Sequence, residues 1–89
     1  MNIVNVAVVY EDPSDKSQSE FKLIEILVGV GTNVIEHEVL AVAETEKAAI
    51  EIESPVAGKI HEILLKLNNP DDDKDVYHHG DILCTIETN

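Results

Sequence analysis

The chain has no arginine and no tryptophan, and only three of its 89 residues are aromatic. Without Arg, no planar guanidinium is available to grip a phosphate or a carboxylate with two hydrogen bonds. Asp and Glu outnumber Lys by 18 to 6, which gives a formal net charge of −12. Such a surface repels nucleic acid and anionic lipid, so the composition argues against both and favours a protein partner with a basic docking face.

Cysteine and long apolar runs are also scarce. Cys84 is the single cysteine, so no intramolecular disulfide can form, and its apolar surroundings at 82–86 indicate a small buried core residue. No apolar run approaches the ~20 residues that span a bilayer, and residues 1–9 lack the basic start of a signal peptide. We therefore expect a soluble protein of the cytoplasm, or of the mitochondrial matrix if the source is eukaryotic.

The apolar residues that are present are mostly Val, Ile, Leu and Ala, which with so few aromatics favours strands. No segment keeps the 3.6-residue apolar spacing of a helix with caps at both ends. The length suits one domain, residues 1–89. The predicted strands are 3–9, 21–28, 39–43, 49–53, 59–67 and 81–87.

An internal repeat divides the chain into two similar halves. Residues 25–30 (EILVGV) align with 62–67 (EILLKL), and residues 34–45 align with 77–88. Extra residues at 70–74 in the second copy map to a loop. Because neither half can bury its apolar side alone, the repeat predicts two antiparallel sheets packed face to face with quasi-twofold symmetry.

A hairpin is predicted between the strands at 39–43 and 49–53, with Thr45, Glu46, Lys47 and Ala48 at its tip. The second strand shows the alternation Ile-Glu-Ile-Glu of a half-buried strand. The segment 54–58 (SPVAG) then ends it, since Pro lacks a ladder donor and Gly tolerates positive φ.

The run Glu44-Thr45-Glu46-Lys47-Ala48, followed by SPVAG, resembles the attachment-site signature of biotinyl and lipoyl domains. The resemblance extends through 24–34 and 59–64, and is closest to the lipoyl domain of the dihydrolipoamide acyltransferase component of 2-oxoacid dehydrogenase complexes. It implies an all-β fold, a flattened β-barrel or sandwich of two four-stranded antiparallel sheets. It also implies that Lys47 stands at an exposed hairpin tip.

The same resemblance assigns roles to three residues. Lys47 is expected to carry lipoate in covalent amide linkage, with Glu46 and Ala48 as flanking recognition residues. Glu46 stands where the family usually has Asp, whereas Ala48 follows the family pattern. Biotin-carrying relatives typically place Met on both sides of the lysine, so the sequence favours lipoate over biotin.

The implied function is that of a non-catalytic lipoyl carrier, whose swinging arm takes acyl groups and electrons between the active sites of a 2-oxoacid dehydrogenase complex such as pyruvate dehydrogenase. The expected partners are a lipoate ligase or lipoyl transferase, a thiamine-diphosphate 2-oxoacid decarboxylase, an acyltransferase catalytic domain and the flavoprotein dihydrolipoamide dehydrogenase. Residues 11–20 are a candidate recognition loop. The isolated domain is expected to be a monomer.

Other functions remain open at this point. They are a biotin carrier domain of a carboxylase, the lipoylated carrier of glycine cleavage, whose chain is usually longer, and an unmodified barrel used as a structural or docking module. An enzyme is the weakest interpretation, because no nucleophile has a plausible base or metal beside it. The modified state of Lys47 separates the unmodified barrel from the carriers.

Several further motifs predict little chemistry. His37, His61, His78 and His79 do not have metal-ligand spacing, and the last two are expected on opposite faces of a strand. Residues 71–75 (DDDKD) lack the alternating ligands and the distal Glu of a calcium loop. Residues 29–34 lack the third glycine of a dinucleotide-binding fingerprint. His37 stands where the family usually has Gly, so we expect a locally reshaped turn there.

Overall fold

The structure is a computed structural model that describes residues 2–9, 20–45 and 48–89. Within these residues it contains eight strands and no helix, so no helix in this part of the chain could cross a membrane. The strands are β1 (Asn2–Ala7), β2 (Glu20–Ile26), β3 (Asn33–Val34), β4 (Val39–Glu44), β5 (Ala49–Glu53), β6 (Gly58–Ile63), β7 (Tyr77–His78) and β8 (Ile82–Thr88).

Two four-stranded sheets are formed by these strands. One has the order β1-β8-β6-β3 and the other β5-β4-β2-β7, and the pairings between the described strands are antiparallel. The predicted all-β sandwich of two four-stranded antiparallel sheets is confirmed. The predicted strand at 59–67 is too long, because the N–H of Leu64 donates to the carbonyl of Leu83 (2.8 Å) and the chain then leaves this sheet.

Backbone hydrogen bonds repeat from one half of the chain to the other. The N–H of Leu27 donates to the carbonyl of Leu40 (2.9 Å), just as Leu64 donates to Leu83. The numbers in these pairs differ by 37 and 43, the offsets at which the sequence repeat aligns. The predicted quasi-twofold symmetry is thus confirmed, with β2 and β4 corresponding to β6 and β8.

Irregularities in the strands repeat as well. The register of β2 on β4 shifts at Ile24, and that of β6 on β8 shifts at the equivalent His61. A second pair of shifts lies at Leu40 in β4 and Leu83 in β8. Because each shift increases the local twist of its strand, the two sheets curve alike and close over one core.

The core contains residues from both sheets and both halves. The rings of Phe21 and Tyr77 pack at a centroid distance of 5.9 Å, and Leu23 and its equivalent Ile60 are both buried. The buried hydrophobic residues are Val6, Val8, Phe21, Leu23, Val34, Leu40, Ala41, Ala43, Ile52, Ile60, Leu83, Cys84 and Ile86. Neither sheet buries its inner face without the other, as the repeat predicts.

The insertion in the second half begins at Asn68, whose side chain replaces a backbone group. The N–H of Ile60, in β6, donates to the carbonyl oxygen of Thr32 in the first-half loop (2.9 Å). The N–H of the equivalent Leu23, in β2, donates instead to Oδ1 of Asn68 in the second half. The ladder therefore stays satisfied while the backbone turns away into the loop at 69–75, which confirms that the extra residues form a loop.

Candidate functional site

The predicted hairpin is formed by β4 and β5. Their register runs from Val39 opposite Glu53 to Glu44 opposite Ala49. The two strands pack Ala43 and Ile52 into the core. A hairpin anchored along its whole length by such a ladder gives a rigid base to the residues that it carries.

The ladder continues one pair further, to Thr45 and Ala48. The N–H of Thr45 donates to the carbonyl oxygen of Ala48 (2.8 Å). The N–H of Ala48 donates to Oγ1 of Thr45 (3.1 Å), and this hydroxyl also lies 3.1 Å from the carbonyl oxygen of Ala48 and donates to it. The hydroxyl of Thr45 therefore bonds to both the N–H and the carbonyl oxygen of Ala48.

Two of the three predicted site residues, Glu46 and Lys47, lie outside the described residues. In the sequence they join Thr45 to Ala48. The third, Ala48, is exposed and directly precedes β5. The exposed placement of Lys47 stays a prediction, as does the recognition role of residues 11–20, of which only Glu20 is described.

The segment after β5 is held by Ser54, which is 1% exposed. Its N–H donates to the carbonyl of Glu38 (2.8 Å) and its carbonyl accepts the N–H of His37 (2.8 Å). Its hydroxyl donates to the carbonyl oxygen of Val56 at 2.6 Å. The predicted end of the strand at SPVAG is confirmed, and the serine in this motif is explained by a buried hydroxyl that stabilises the turn.

The hairpin lies opposite the paired strand ends Asn2 and Thr88. Leu64 lies beside the start of β8, and four residues later the N–H of Asn68 donates to the carbonyl of Leu23 (3.0 Å). Leu23 pairs with Ala43, near the end of β4. The start of β8 therefore adjoins the end of β4. Because β8 runs away from this point, Thr88 lies at the end of β8 that is remote from the hairpin.

Lys22 braces the second-half loop beside the hairpin. It stands opposite Glu44 on the neighbouring strand, and its Nζ donates to the carbonyl oxygens of Asn69 (3.1 Å) and Asp72 (2.9 Å). This contact was not predicted from the sequence, because its acceptors are backbone atoms whose positions depend on the fold.

The described residues around the hairpin carry negative charge. Glu44, Glu51 and Glu53 are exposed on its two strands. Asp71 and Asp72 are exposed on the loop that Lys22 holds. This distribution agrees with the basic docking face that the net charge predicts for a partner.

Cys84 is 1% exposed in the core. Burial raises the pKa of its thiol from an ordinary 9.0 to about 11, so the thiolate that nucleophilic chemistry requires is absent at neutral pH. The prediction that Cys84 is a buried core residue is confirmed.

The histidines are not brought together as ligands. His78 ends β7, but His79 lies in the following turn, so the expectation that both occupy one strand is wrong. In the part of the chain that is described, no group of three His, Cys, Asp or Glu residues could hold a metal ion.

Comparison with known proteins identifies the family. The family model described as "Biotin-requiring enzyme", that of biotin and lipoyl attachment domains, matches residues 12–86. The chain belongs to the biotin/lipoyl attachment domain family. The match spans both strands of the hairpin and both halves of the repeat, so the fold and the sequence motif point to the same family.

The curated relatives are acyltransferase components of 2-oxoacid dehydrogenase complexes. The dihydrolipoyllysine-residue acetyltransferase component of the pyruvate dehydrogenase complex from Azotobacter vinelandii is 38% identical over 76 residues, 85% of this chain and 11% of that protein. The Haemophilus influenzae protein of the same description is 35% identical over 60 residues, 67% of this chain and 11% of that protein.

A third relative is the lipoamide acyltransferase component of the branched-chain alpha-keto acid dehydrogenase complex from Pseudomonas aeruginosa. It is 52% identical over 42 residues, which is 47% of this chain and 10% of that protein. The chain thus matches about a tenth of the length of each relative. The attachment domain described above is related to these components.

Proposed function

We propose that this chain is a lipoyl carrier domain, in which Lys47 holds lipoate in amide linkage and serves a 2-oxoacid dehydrogenase complex. The observation that carries the proposal is the β4–β5 hairpin, whose ladder extends to Thr45 and Ala48 on either side of Glu46 and Lys47. A ligase can acylate a lysine only if its amine clears the protein surface, and a short hairpin connection on a rigid ladder provides that.

Lipoate is favoured over biotin by the residues beside the lysine and by the relatives. Glu46 and Ala48 flank Lys47, whereas the biotin-carrying branch typically has Met at both places. The three relatives described above carry dihydrolipoyllysine or lipoamide in their names. The description of the family model names biotin, so a biotin carrier of a carboxylase is the second candidate.

The chain's own contribution is position and recognition, and it is not itself catalytic. When bound, a lipoyl group supplies a redox-active disulfide that accepts acyl groups. Thr45 and Ala48, the described residues that flank the proposed attachment point, lie at the end opposite Asn2 and Thr88. Tethering raises the local concentration of a carried group at partner active sites. The acidic surface at Glu44 and Glu51 suits partners with basic docking faces.

We propose as partners a lipoate ligase or lipoyl transferase, a thiamine-diphosphate 2-oxoacid decarboxylase, an acyltransferase catalytic domain and dihydrolipoamide dehydrogenase. These enzymes would meet the domain in the bacterial cytoplasm, or in the mitochondrial matrix of a eukaryote. The proposal predicts that the domain alone converts no 2-oxoacid, and that it supports turnover only when lipoylated and supplied with the decarboxylase and the acyltransferase.

The test is formation of acyl-coenzyme A in a mixture of the decarboxylase, the acyltransferase catalytic domain, a 2-oxoacid, coenzyme A and the pre-lipoylated chain. Wild-type protein should support turnover, and Lys47→Arg should not. Lys59→Arg is the matched control, because Lys59 is an exposed lysine of β6 that lies outside the attachment motif. Equal turnover with wild type and Lys47→Arg would contradict the proposal.

A further inference from the structure

Thr45 closes the hairpin with its side chain as well as its backbone. Its Oγ1 accepts the N–H of Ala48 and donates to the carbonyl oxygen of the same residue, each at 3.1 Å. In a two-residue hairpin connection the N–H of the fourth residue ordinarily pairs with the backbone carbonyl of the first. Here a hydroxyl on a rotatable bond takes that N–H, so the closing contact depends on which residue occupies position 45.

We propose that Thr45 is a positioning residue for Lys47, and that its hydroxyl fixes the geometry of the hairpin end that the modifying ligase recognises. This inference rests on the proposed function. The β-branched side chain of Thr restricts χ1, so the hydroxyl is held near one orientation at low entropic cost. Preorganising a segment in its bound form improves binding by reducing the entropy lost on binding.

The quasi-twofold symmetry shows that the fold itself does not need this contact. The residue equivalent to Thr45 is Thr88, the last residue of the central strand β8, whereas Thr45 directly follows β4. Thr88 stands opposite Asn2, near the two ends of the chain. No chain reversal joins this pair, yet β1 and β8 keep their ladder from Asn2 to Ala7. The β1–β8 pair therefore forms without a turn at this end, so the ladder does not require the turn contact that Thr45 makes.

The contact also engages both backbone polar groups of Ala48. The N–H and the carbonyl of Ala48 are both occupied by Thr45. Both ends of the two-residue connection are thereby fixed relative to each other. Loss of the hydroxyl removes one acceptor and one donor from an exposed pair, which lowers local order at the hairpin end and leaves the buried core unchanged.

The experiment compares Thr45→Val, which keeps the shape and removes the hydroxyl, with Thr45→Ser, which keeps the hydroxyl. Thr88→Val is the matched control at the opposite end. Two quantities are measured: the hydrogen-exchange rate of the Ala48 amide, and the KM and kcat of a lipoate ligase with each protein as substrate. Thermal unfolding checks that all four proteins fold alike.

For Thr45→Val we expect Ala48 exchange to become about tenfold faster and the ligase KM to rise about tenfold, the combined effect of losing the two exposed hydrogen bonds of the hydroxyl. The kcat should stay within about twofold, because the lysine amine itself is unaltered. Thr45→Ser should keep the Ala48 exchange rate and the ligase KM near their wild-type values, and Thr88→Val should change neither. A purely structural role would lower the unfolding temperature without this split between KM and kcat.

The outcomes separate the two proposals. Wild-type protein that no lipoate ligase modifies would overturn the proposed function and this inference with it. Wild-type protein that is lipoylated, together with Thr45→Val lipoylated at an unchanged KM, would overturn the inference alone. If Thr45→Ser had the same raised KM as Thr45→Val, the inference would also be overturned, because loss of the hydroxyl would then not be the cause.

Discussion

His37 and Gly80 occupy the same place in the two halves of the fold, and both have positive φ, 72° and 95°. Each is the third residue of a four-residue turn closed by a backbone hydrogen bond, from Glu38 N–H to the Ile35 carbonyl (3.1 Å) in the first half. In each turn the fourth side chain also accepts the N–H of the first residue. The first half therefore places a histidine where the left-handed conformation favours glycine.

Replacing His37 with Gly should stabilise the protein. The change relieves a positive φ that costs a side-chain-bearing residue about 1 kcal/mol or more, part of which is offset by the greater freedom of Gly in the unfolded chain. The side-chain contacts of His37 with Glu36 (3.5 Å) and Glu53 (3.4 Å) are exposed and contribute little. Chemical denaturation should show a gain of about 0.5 kcal/mol.

Two controls belong to this prediction. His37→Ala removes the ring without relieving φ and should not stabilise. Gly80→Ala imposes the same strain on the second half, where an added Cβ would meet nothing within 4 Å, so φ alone acts. A His37→Gly protein that unfolds at a lower denaturant concentration than wild type would contradict the strain argument.

Gly58→Ala should be strongly destabilising for a steric reason. A Cβ at Gly58 would lie 2.5 Å from the carbonyl oxygen of Glu87 and 2.7 Å from Cγ2 of Ile86. Since the first of these atoms is backbone, β6 and β8 must move apart, at a cost of about 3 kcal/mol. Gly29→Ala, whose Cβ would come no closer than 3.9 Å to Thr32 Oγ1, should leave the unfolding temperature within a few degrees of wild type.

Thr85→Val should keep or raise stability. The side chain is 8% exposed, and its Oγ1 has no hydrogen-bond partner within residues 2–9, 20–45 and 48–89. Val has the same shape and removes the cost of an unsatisfied buried hydroxyl, about 1 kcal/mol. Calorimetry should therefore show an unchanged or higher unfolding temperature. A lower unfolding temperature, by the amount expected for one lost hydrogen bond, would mean that the Thr85 hydroxyl has a hydrogen-bond partner and would contradict the prediction.

The buried thiol of Cys84 should make stability fall at high pH. Its pKa is raised to about 11 by burial, so between about pH 9 and pH 11 the unfolded chain releases this proton while the folded chain keeps it. The contribution is fully present below pH 9 and is lost as pH rises through the folded pKa. Cys84→Ala should show a shallower decline of unfolding free energy over this range. Parallel declines would contradict the assignment.

Lys22→Met should loosen the loop at 69–75. The variant removes the ammonium that the carbonyls of Asn69 and Asp72 accept from, and keeps most of the aliphatic chain. Hydrogen exchange in 69–75 should accelerate, with little effect on β4 and β5. The control is Lys59→Met, at the equivalent place in the other half. If Lys59→Met accelerated exchange in 69–75 as much as Lys22→Met, Lys22 would not be a specific brace of this loop.

The sequence predicted the parts of the fold that repeat. The two halves, the hairpin at β4–β5 and the burial of Cys84 follow from apolar patterns that are visible at short range. Strands β3 and β7 have two residues each, too few for any period to show. The strand predicted at 59–67 runs too far because apolar residues continue after Leu64, where the chain crosses between sheets.

Contacts made by backbone atoms and single side chains were not predictable in this way. The Asn68 side chain in the ladder, the carbonyls around Lys22 and the hydroxyl of Thr45 depend on the folded path of the chain. At the site, the sequence predicted Ala48 among the tip residues 45–48, and in the structure Ala48 is exposed just before β5; its recognition role stays a prediction. The attachment role of Lys47 follows from the motif and stays a prediction.

The measurement that tests the central claim most directly is the intact mass of the protein after one incubation with both a lipoate ligase and a biotin ligase and their substrates, followed by peptide mapping. We predict a gain of about 188 Da, lipoate minus water, confined to the Lys47 peptide and absent from Lys47→Arg. A gain of about 226 Da from biotin, a gain on another lysine, or no gain would contradict the account.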